Sequence, residues 1–139
     1  MNQPEILIVG AGGMGALFGS ILHENGLKVV LYDTNTEHIR AIQQVGLKIE
    51  RYGGDRTIPI AATSNLSELE SAEIIIFQCK SHRTHQAAKA VKPLITQESV
   101  CISFQNGLGN EEVMAEELGE DFVMGGLTCL LYTSPSPRD

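Results

Sequence analysis

Three glycines, Gly10, Gly12 and Gly15, follow the apolar run Ile6 to Val9, and Asp33 closes a second apolar run roughly 20 residues further on. This spacing suits the binding of a dinucleotide. Gly10 permits a tight turn out of a strand, Gly12 leaves bare backbone for a pyrophosphate, and Gly15 lets the following helix approach a sheet. The helix N-terminus adds free N–H groups and a partial positive charge. The stretch Gly10, Ala11, Gly12, Gly13, Met14 and Gly15 is therefore expected to bind phosphates, and Asp33 the hydroxyls of a ribose.

Two further residues stand just past apolar runs, where open parallel sheets place their ligands. Lys80 comes shortly after Ile74 to Phe77, and could meet an anionic substrate or polarise a carbonyl oxygen; otherwise it is a solvated lysine opening a loop. Asn106 follows Ile102 to Gln105. An Asn-Gly pair is by itself a turn signal, but this one lies between a strand and a helical pattern, so its amide could bond a carboxamide or a substrate hydroxyl. His82 and His85 have the spacing of a metal pair but lack a third ligand beside them, so an exposed helix start is expected and no metal. Ser81 and Ser103 have no visible base to make either a nucleophile.

The elements that must position these residues alternate strand and helix. The pattern predicts strand 5–9, helix 13–25, strand 28–32 and helix 35–45, then strands near 47–51 and 56–61 that could pair around Gly53 and Gly54. A helical turn near 66–70, strand 73–78, helix 82–91, strand 99–104, helix 109–118 and strand 121–125 complete it. This is an α/β chain of Rossmann type, a doubly wound and mostly parallel sheet with helices on both faces. The runs ILIV, VVLY, IIIF and VCISF are uninterrupted, as strands buried on both faces are. In the first helix Met14, Leu17, Phe18, Ile21 and Leu22 recur at helical spacing, so that face is expected to cover the sheet.

Composition bounds the function. At 139 residues the chain is the size of one domain, and 42% hydrophobic with 19% charged residues is ordinary for a soluble globular protein. No apolar run approaches the ~20 residues of a membrane span, and no basic segment precedes the first apolar run, so neither a membrane helix nor a secretory signal is expected and the location is read as cytoplasmic. A net charge of −7 argues against nucleic acid as a partner. Cys79, Cys101 and Cys129 have no paired spacing, and the first two fall in or beside apolar runs as small core residues.

Residues 10–19 (GAGGMGALFG), 77–87 (FQCKSHRTHQA) and 103–112 (SFQNGLGNEE), with GLKIE at 46–50 and GGLT at 125–128, resemble in order and spacing the N-terminal domain of ketopantoate reductases (2-dehydropantoate 2-reductases). The resemblance covers about residues 5 to 128. It implies NADPH-dependent reduction of ketopantoate to pantoate, on the way to pantothenate and coenzyme A, by an enzyme that can form a homodimer. In that family the residues matching Lys80 and Asn106 line the crevice of cofactor and substrate. The proton-donating lysine and an acidic substrate-holding residue belong to a second, helical domain, so no catalytic residue is expected within this chain, which should turn over poorly by itself. Residues 1–128 are read as the dinucleotide-binding domain, and 129–139, which resemble translated sequencing adapter, as a non-native or disordered tail.

One departure concerns the cofactor. NADPH-using members usually carry an arginine where this chain has Thr34, and the carboxylate of Asp33 suits free ribose hydroxyls better than a phosphate dianion. The resemblance implies NADP(H), whereas the local residues favour NAD(H), with Arg40 as the cation that could still reach a phosphate. Two other readings fit the fingerprint: the cofactor domain of another two-domain dehydrogenase, acting on a different 2-keto acid, an imine or a sugar phosphate, or a non-catalytic nucleotide-sensing module. The module would have no use for Lys80 and Asn106.

Overall fold

A computed structural model describes residues 2–50, 54–105 and 109–125. Its elements, in chain order, are β1 (Ile6–Val9), α1 (Gly13–Glu24), β2 (Val29–Tyr32), α2 (Thr36–Val45), β3 (Leu47–Ile49), β4 (Arg56–Ile58), β5 (Ala61–Thr63), β6 (Ile74–Phe77), α3 (Thr84–Val91), β7 (Val100–Ser103), α4 (Asn110–Leu118) and β8 (Val123–Gly125). Six strands form one sheet in the order β5-β2-β1-β6-β7-β8. Every pairing in it is parallel, with Ile8 level with Leu31 on one side and Ile76 on the other. The chain winds outward from β1 through β2 to β5, then returns to β1's other edge as β6. The fold is therefore of Rossmann type, and its direction reverses between β1 and β6, where such sheets open a crevice.

Alternation along the strands divides the core between two faces. Ile6, Ile8 and Leu31 pack with Ile39 and Ile42 of α2, whereas Leu7, Val9, Ile75 and Phe77 pack with Ala88 and Val91 of α3 and with Met114 and Leu118 of α4. All four β1 residues are buried, but in β7 only Cys101 and Ser103 are, with Val100 and Ile102 half-buried. The expectation of burial on both faces thus holds for the central strand and weakens toward the β8 side.

The helix α1 packs differently from its sequence reading. Gly15, Ala16, Gly19 and Ser20 are its buried residues, and Met14 and Ile21 are 49% and 44% exposed. Small side chains let the helix axis come close to the sheet: a methyl at Gly15 would overlap the Gly10 carbonyl, and one at Gly19 would lie 2.6 Å from Leu31 Cδ2. The large residues are consequently carried on the flanks and outer side, with Leu22 reaching the core margin.

The strands around Gly54 do pair, as an antiparallel ribbon outside the main sheet, with Leu47 opposite Ile58 and both buried. The second strand is shorter than the expected 56–61. Pro59 supplies no N–H and ends β4 at Ile58, and the chain resumes as β5, parallel to β2 at the sheet edge. The bidentate pair of Arg56 with Glu24, at 2.8 Å for each contact, ties the ribbon to the end of α1.

Candidate functional site

The carboxyl ends of β1, β2, β6 and β7 surround a crevice of about 940 Å³. A shallower groove of about 390 Å³ lies elsewhere, between the end of α2 and Pro59 to Ala61. The fingerprint forms one wall of the larger crevice. Gly10 N–H donates to the Tyr32 carbonyl at 2.8 Å, extending the ladder, and the chain then turns at a φ of 109° that favours glycine. A Cβ there would also come within 2.6 Å of Cys79 N, so the loop passes tightly over the chain just past β6. Side chains built at Gly12 or Gly13, by contrast, meet nothing within 4 Å, and both glycines line the crevice. The loop is thus packed on one side and bare on the other, which leaves space for an anion at the N-terminus of α1.

Asp33 and His38 brace that loop. Asp33 Oδ2 accepts from Ala11 N–H at 2.8 Å, and its Oδ1 accepts from Asn35 N–H at 2.9 Å. His38 Nε2 donates to the Ala11 carbonyl at 2.7 Å, which places the ring proton on that nitrogen. His38 gave no sequence signal of its own, because a histidine in the first turn of a helix is usually solvated. Asp33 is half-buried and keeps lone pairs for a ligand, since an ionised carboxylate can accept about four hydrogen bonds.

The opposite wall belongs to the connection after β6. Lys80 is exposed and lines the crevice, and its carbonyl accepts from Arg83 N–H at 2.8 Å in a single 3₁₀ turn. Arg83 reaches across: its Nη1 donates to Thr34 Oγ1 at 3.0 Å, and both side chains are exposed. Arg40, the cation expected from sequence, does not line the crevice. Among the described residues, two cations and one carboxylate therefore face this cavity, in a chain whose net charge is −7.

Asn106 lies outside the described residues. The chain on either side of it is anchored by a buried polar network. Ser103 Oγ donates to Gln105 Oε1 at 2.8 Å, Gln105 Nε2 donates to the Cys79 carbonyl at 2.9 Å and to Thr84 Oγ1 at 2.7 Å, and Thr84 donates to Asn110 Oδ1 at 3.1 Å. These bonds lock the ends of β6 and β7 and the starts of α3 and α4 together. Sequence reading gave no role to Gln105, the residue before Asn106.

Burial pushes the Cys79 thiol up to about 11 and the Cys101 thiol up to about 12, so both are neutral and neither is a nucleophile at ordinary pH. Tyr32, on the crevice wall, is raised by burial and then by the neighbouring Asp33, and stays a phenol. Gln78 Nε2 is a buried donor without a partner among the described residues, at the same wall. His82 is exposed, and His85 sits 3.8 Å from Glu117; no three His, Cys, Asp or Glu residues among those described come together as a metal site. No described helix is long and apolar enough to cross a membrane.

Comparison with known proteins agrees with this geometry. The 2-dehydropantoate 2-reductase of Lactococcus lactis subsp. lactis is 31% identical over 126 residues, which cover 89% of this chain and 40% of that protein. That of Pyrococcus abyssi is 36% identical over 124 residues, covering 89% and 39%. Among solved structures, the PanE/ApbA family ketopantoate reductase from Ralstonia eutropha JMP134 matches with a TM-score of 0.78 and 30% identity, over 88% of this chain and 40% of that one. D-mandelate dehydrogenase, solved with NADH and anilino(oxo)acetate, matches with a TM-score of 0.78 and 26% identity over the same shares, 88% and 40%. The chain thus spans about 40% of the length of these relatives. The sequence profile of the family described as Ketopantoate reductase PanE/ApbA matches residues 6–138, and with the parallel sheet and the fingerprint crevice already in place, this chain belongs to that family.

Proposed function

We propose that the chain is the nicotinamide-dinucleotide-binding part of a 2-dehydropantoate 2-reductase, an oxidoreductase that reduces ketopantoate to pantoate. The observation that carries this reading is the loop Gly10 to Gly15, packed tightly on Gln78 and Cys79 through Gly10 yet open at Gly12 and Gly13, beside a crevice edged by Lys80 and Arg83. That donor set fits a dinucleotide. The bare backbone at Gly12 and Gly13 and the N-terminus of α1 would hold the pyrophosphate, with Ala11, Met14 and Gly15 completing the loop. Asp33 would accept from the adenosine ribose, beside Thr34.

A nicotinamide dinucleotide held there would bring hydride-donating chemistry to a substrate carbonyl. Lys80 would meet the negative charge of the 2-keto acid and its developing alkoxide, and Asn106 would orient carboxamide or substrate. The proton donor and the other half of the substrate site belong, in this reading, to the part of the relatives that the chain does not span. The chain by itself should then bind cofactor and reduce ketopantoate poorly. The same reading brings a place in pantothenate and coenzyme A synthesis, a cytoplasmic setting and a homodimeric whole enzyme.

The similarity to D-mandelate dehydrogenase supports a second reading, in which the substrate is a different 2-keto acid held by the same crevice. Fluorescence titration of the chain with NADPH and NADH tests the cofactor reading, with saturable binding expected. A chain that binds neither overturns it. Adding ketopantoate and other 2-keto acids to the cofactor-bound chain then separates the two substrate readings.

A further inference from the structure

We propose that Arg83 reads the 2′ position of the adenosine ribose and tips this chain toward the phosphorylated dinucleotide. The inference rests on the dinucleotide reading above and adds to it a cation from an element other than the one expected. The sequence offers no cation at Thr34, and Asp33 alone would repel a phosphate dianion. In the structure the gap at Thr34 is filled from across the crevice. Arg83 starts in the turn after β6, yet its guanidinium lies 3.0 Å from the Thr34 hydroxyl, just past the end of β2 and next to Asp33.

Three features make this contact suited to a phosphate. First, Thr34 is the one side-chain partner of Arg83 among the described residues, so most of the five guanidinium donors are open for a bidentate contact. Second, the Asp33 oxygens already accept from the N–H groups of Ala11 and Asn35, and these backbone dipoles offset part of its negative charge toward an incoming anion. Third, the Arg83 N–H donates to the Lys80 carbonyl, so the cation starts from a turn closed by a backbone hydrogen bond. The Thr34 hydroxyl, placed between guanidinium and ribose site, can donate to a phosphate oxygen as well. A free 2′-hydroxyl, as in NADH, would meet Asp33 and gain little from Arg83.

The test titrates the full chain with NADPH and NADH, and competes each with 2′,5′-ADP and 5′-AMP. NADPH and 2′,5′-ADP should bind more tightly than their unphosphorylated counterparts. Arg83→Ala should weaken both by about tenfold while changing NADH by less than about twofold, the loss expected for one charge-assisted contact. Arg83→Lys should recover part of the preference, because it keeps the charge and loses the fork. Added salt should weaken NADPH more than NADH in the parent chain and equally in Arg83→Ala. Equal losses for both dinucleotides, or a parent chain that prefers NADH, would overturn the proposal. Binding of neither would instead overturn the dinucleotide reading beneath it.

Discussion

The carboxylate of Asp33 and the backbone of Ala11 are joined by a 2.8 Å hydrogen bond, and the Ala11 carbonyl is taken at 2.7 Å by His38. Both polar groups of one residue in the fingerprint are therefore held by side chains, one just past β2 and one in the first turn of α2, 22 and 27 positions further along the chain. The acidic residue just past β2 is a brace for the glycine loop as well as a candidate ribose acceptor.

Asp33→Asn separates these duties only partly, and so should affect both stability and binding. The amide turns one acceptor oxygen into a donor, and whichever way it faces, the N–H of Ala11 or of Asn35 loses its partner. A charge-assisted bond of this kind contributes about 1.5–3 kcal/mol. Urea denaturation should show a loss toward the low end of that range, because the site is half-exposed, together with weaker dinucleotide binding. An unchanged midpoint with unchanged affinity would mean that the brace does not matter.

Gly12 and Gly15 should respond to bulk in opposite ways. Gly12 has φ −74° and ψ −165°, open to any residue, and a Cβ there meets nothing within 4 Å. Gly12→Val should therefore fold with near-parental stability and lose dinucleotide binding, since the side chain fills the space proposed for the pyrophosphate. Gly15→Val should lose stability instead, by several kcal/mol of the order seen for forced overpacking, because its side chain would strike the Gly10 carbonyl. Thermal melts beside binding titrations distinguish the two, and retained binding in Gly12→Val would remove the phosphate assignment.

Much of this was legible in the sequence because it rests on local patterns. Gly10 and the run before it mark the turn out of β1, and the helical spacing after each apolar run places α1 and α2 to within a residue or so of their ends. What stayed hidden depends on distance between elements. Ala61 to Thr63 is short and only weakly apolar, and becomes β5 because the edge of β2 is there to pair with. Met14 and Ile21 looked like core since large apolar residues usually are, whereas the close approach of α1 gives that place to Gly15 and Gly19. Arg83 reads as one more polar residue after Lys80, and only the crossing of the crevice brings it to Thr34.

Gln105→Leu should show how far the network beside the crevice is structural. The leucine keeps the volume but leaves the Cys79 carbonyl without this donor and the buried Ser103 hydroxyl without its acceptor, while Thr84 keeps only its bond to Asn110. Each such orphan costs about 1–3 kcal/mol, so the urea midpoint should fall clearly. Hydrogen exchange should also quicken at the starts of α3 and α4, which the network joins. A variant as stable and as protected as the parent would show that the four elements are locked by packing alone.

The half-buried Cys79 thiol and the buried Cys101 thiol predict a loss of stability in alkali. Cys79 is held up to about 11 and Cys101 up to about 12 by burial, whereas an unfolded thiol ionises near ~8.5. Between those values the folded chain binds more protons than the unfolded one, so stability falls as pH rises above about 9 and is unaffected by these groups below it. Lysines and tyrosines titrate in the same range, so the comparison must be with Cys101→Ala, which should be less stable at neutral pH but show a shallower decline above about 9. Identical slopes for parent and variant would remove the Cys101 thiol as the cause. Peptide-resolved alkylation at pH 8 gives an independent check, since both peptides should react far more slowly in the folded chain than in urea.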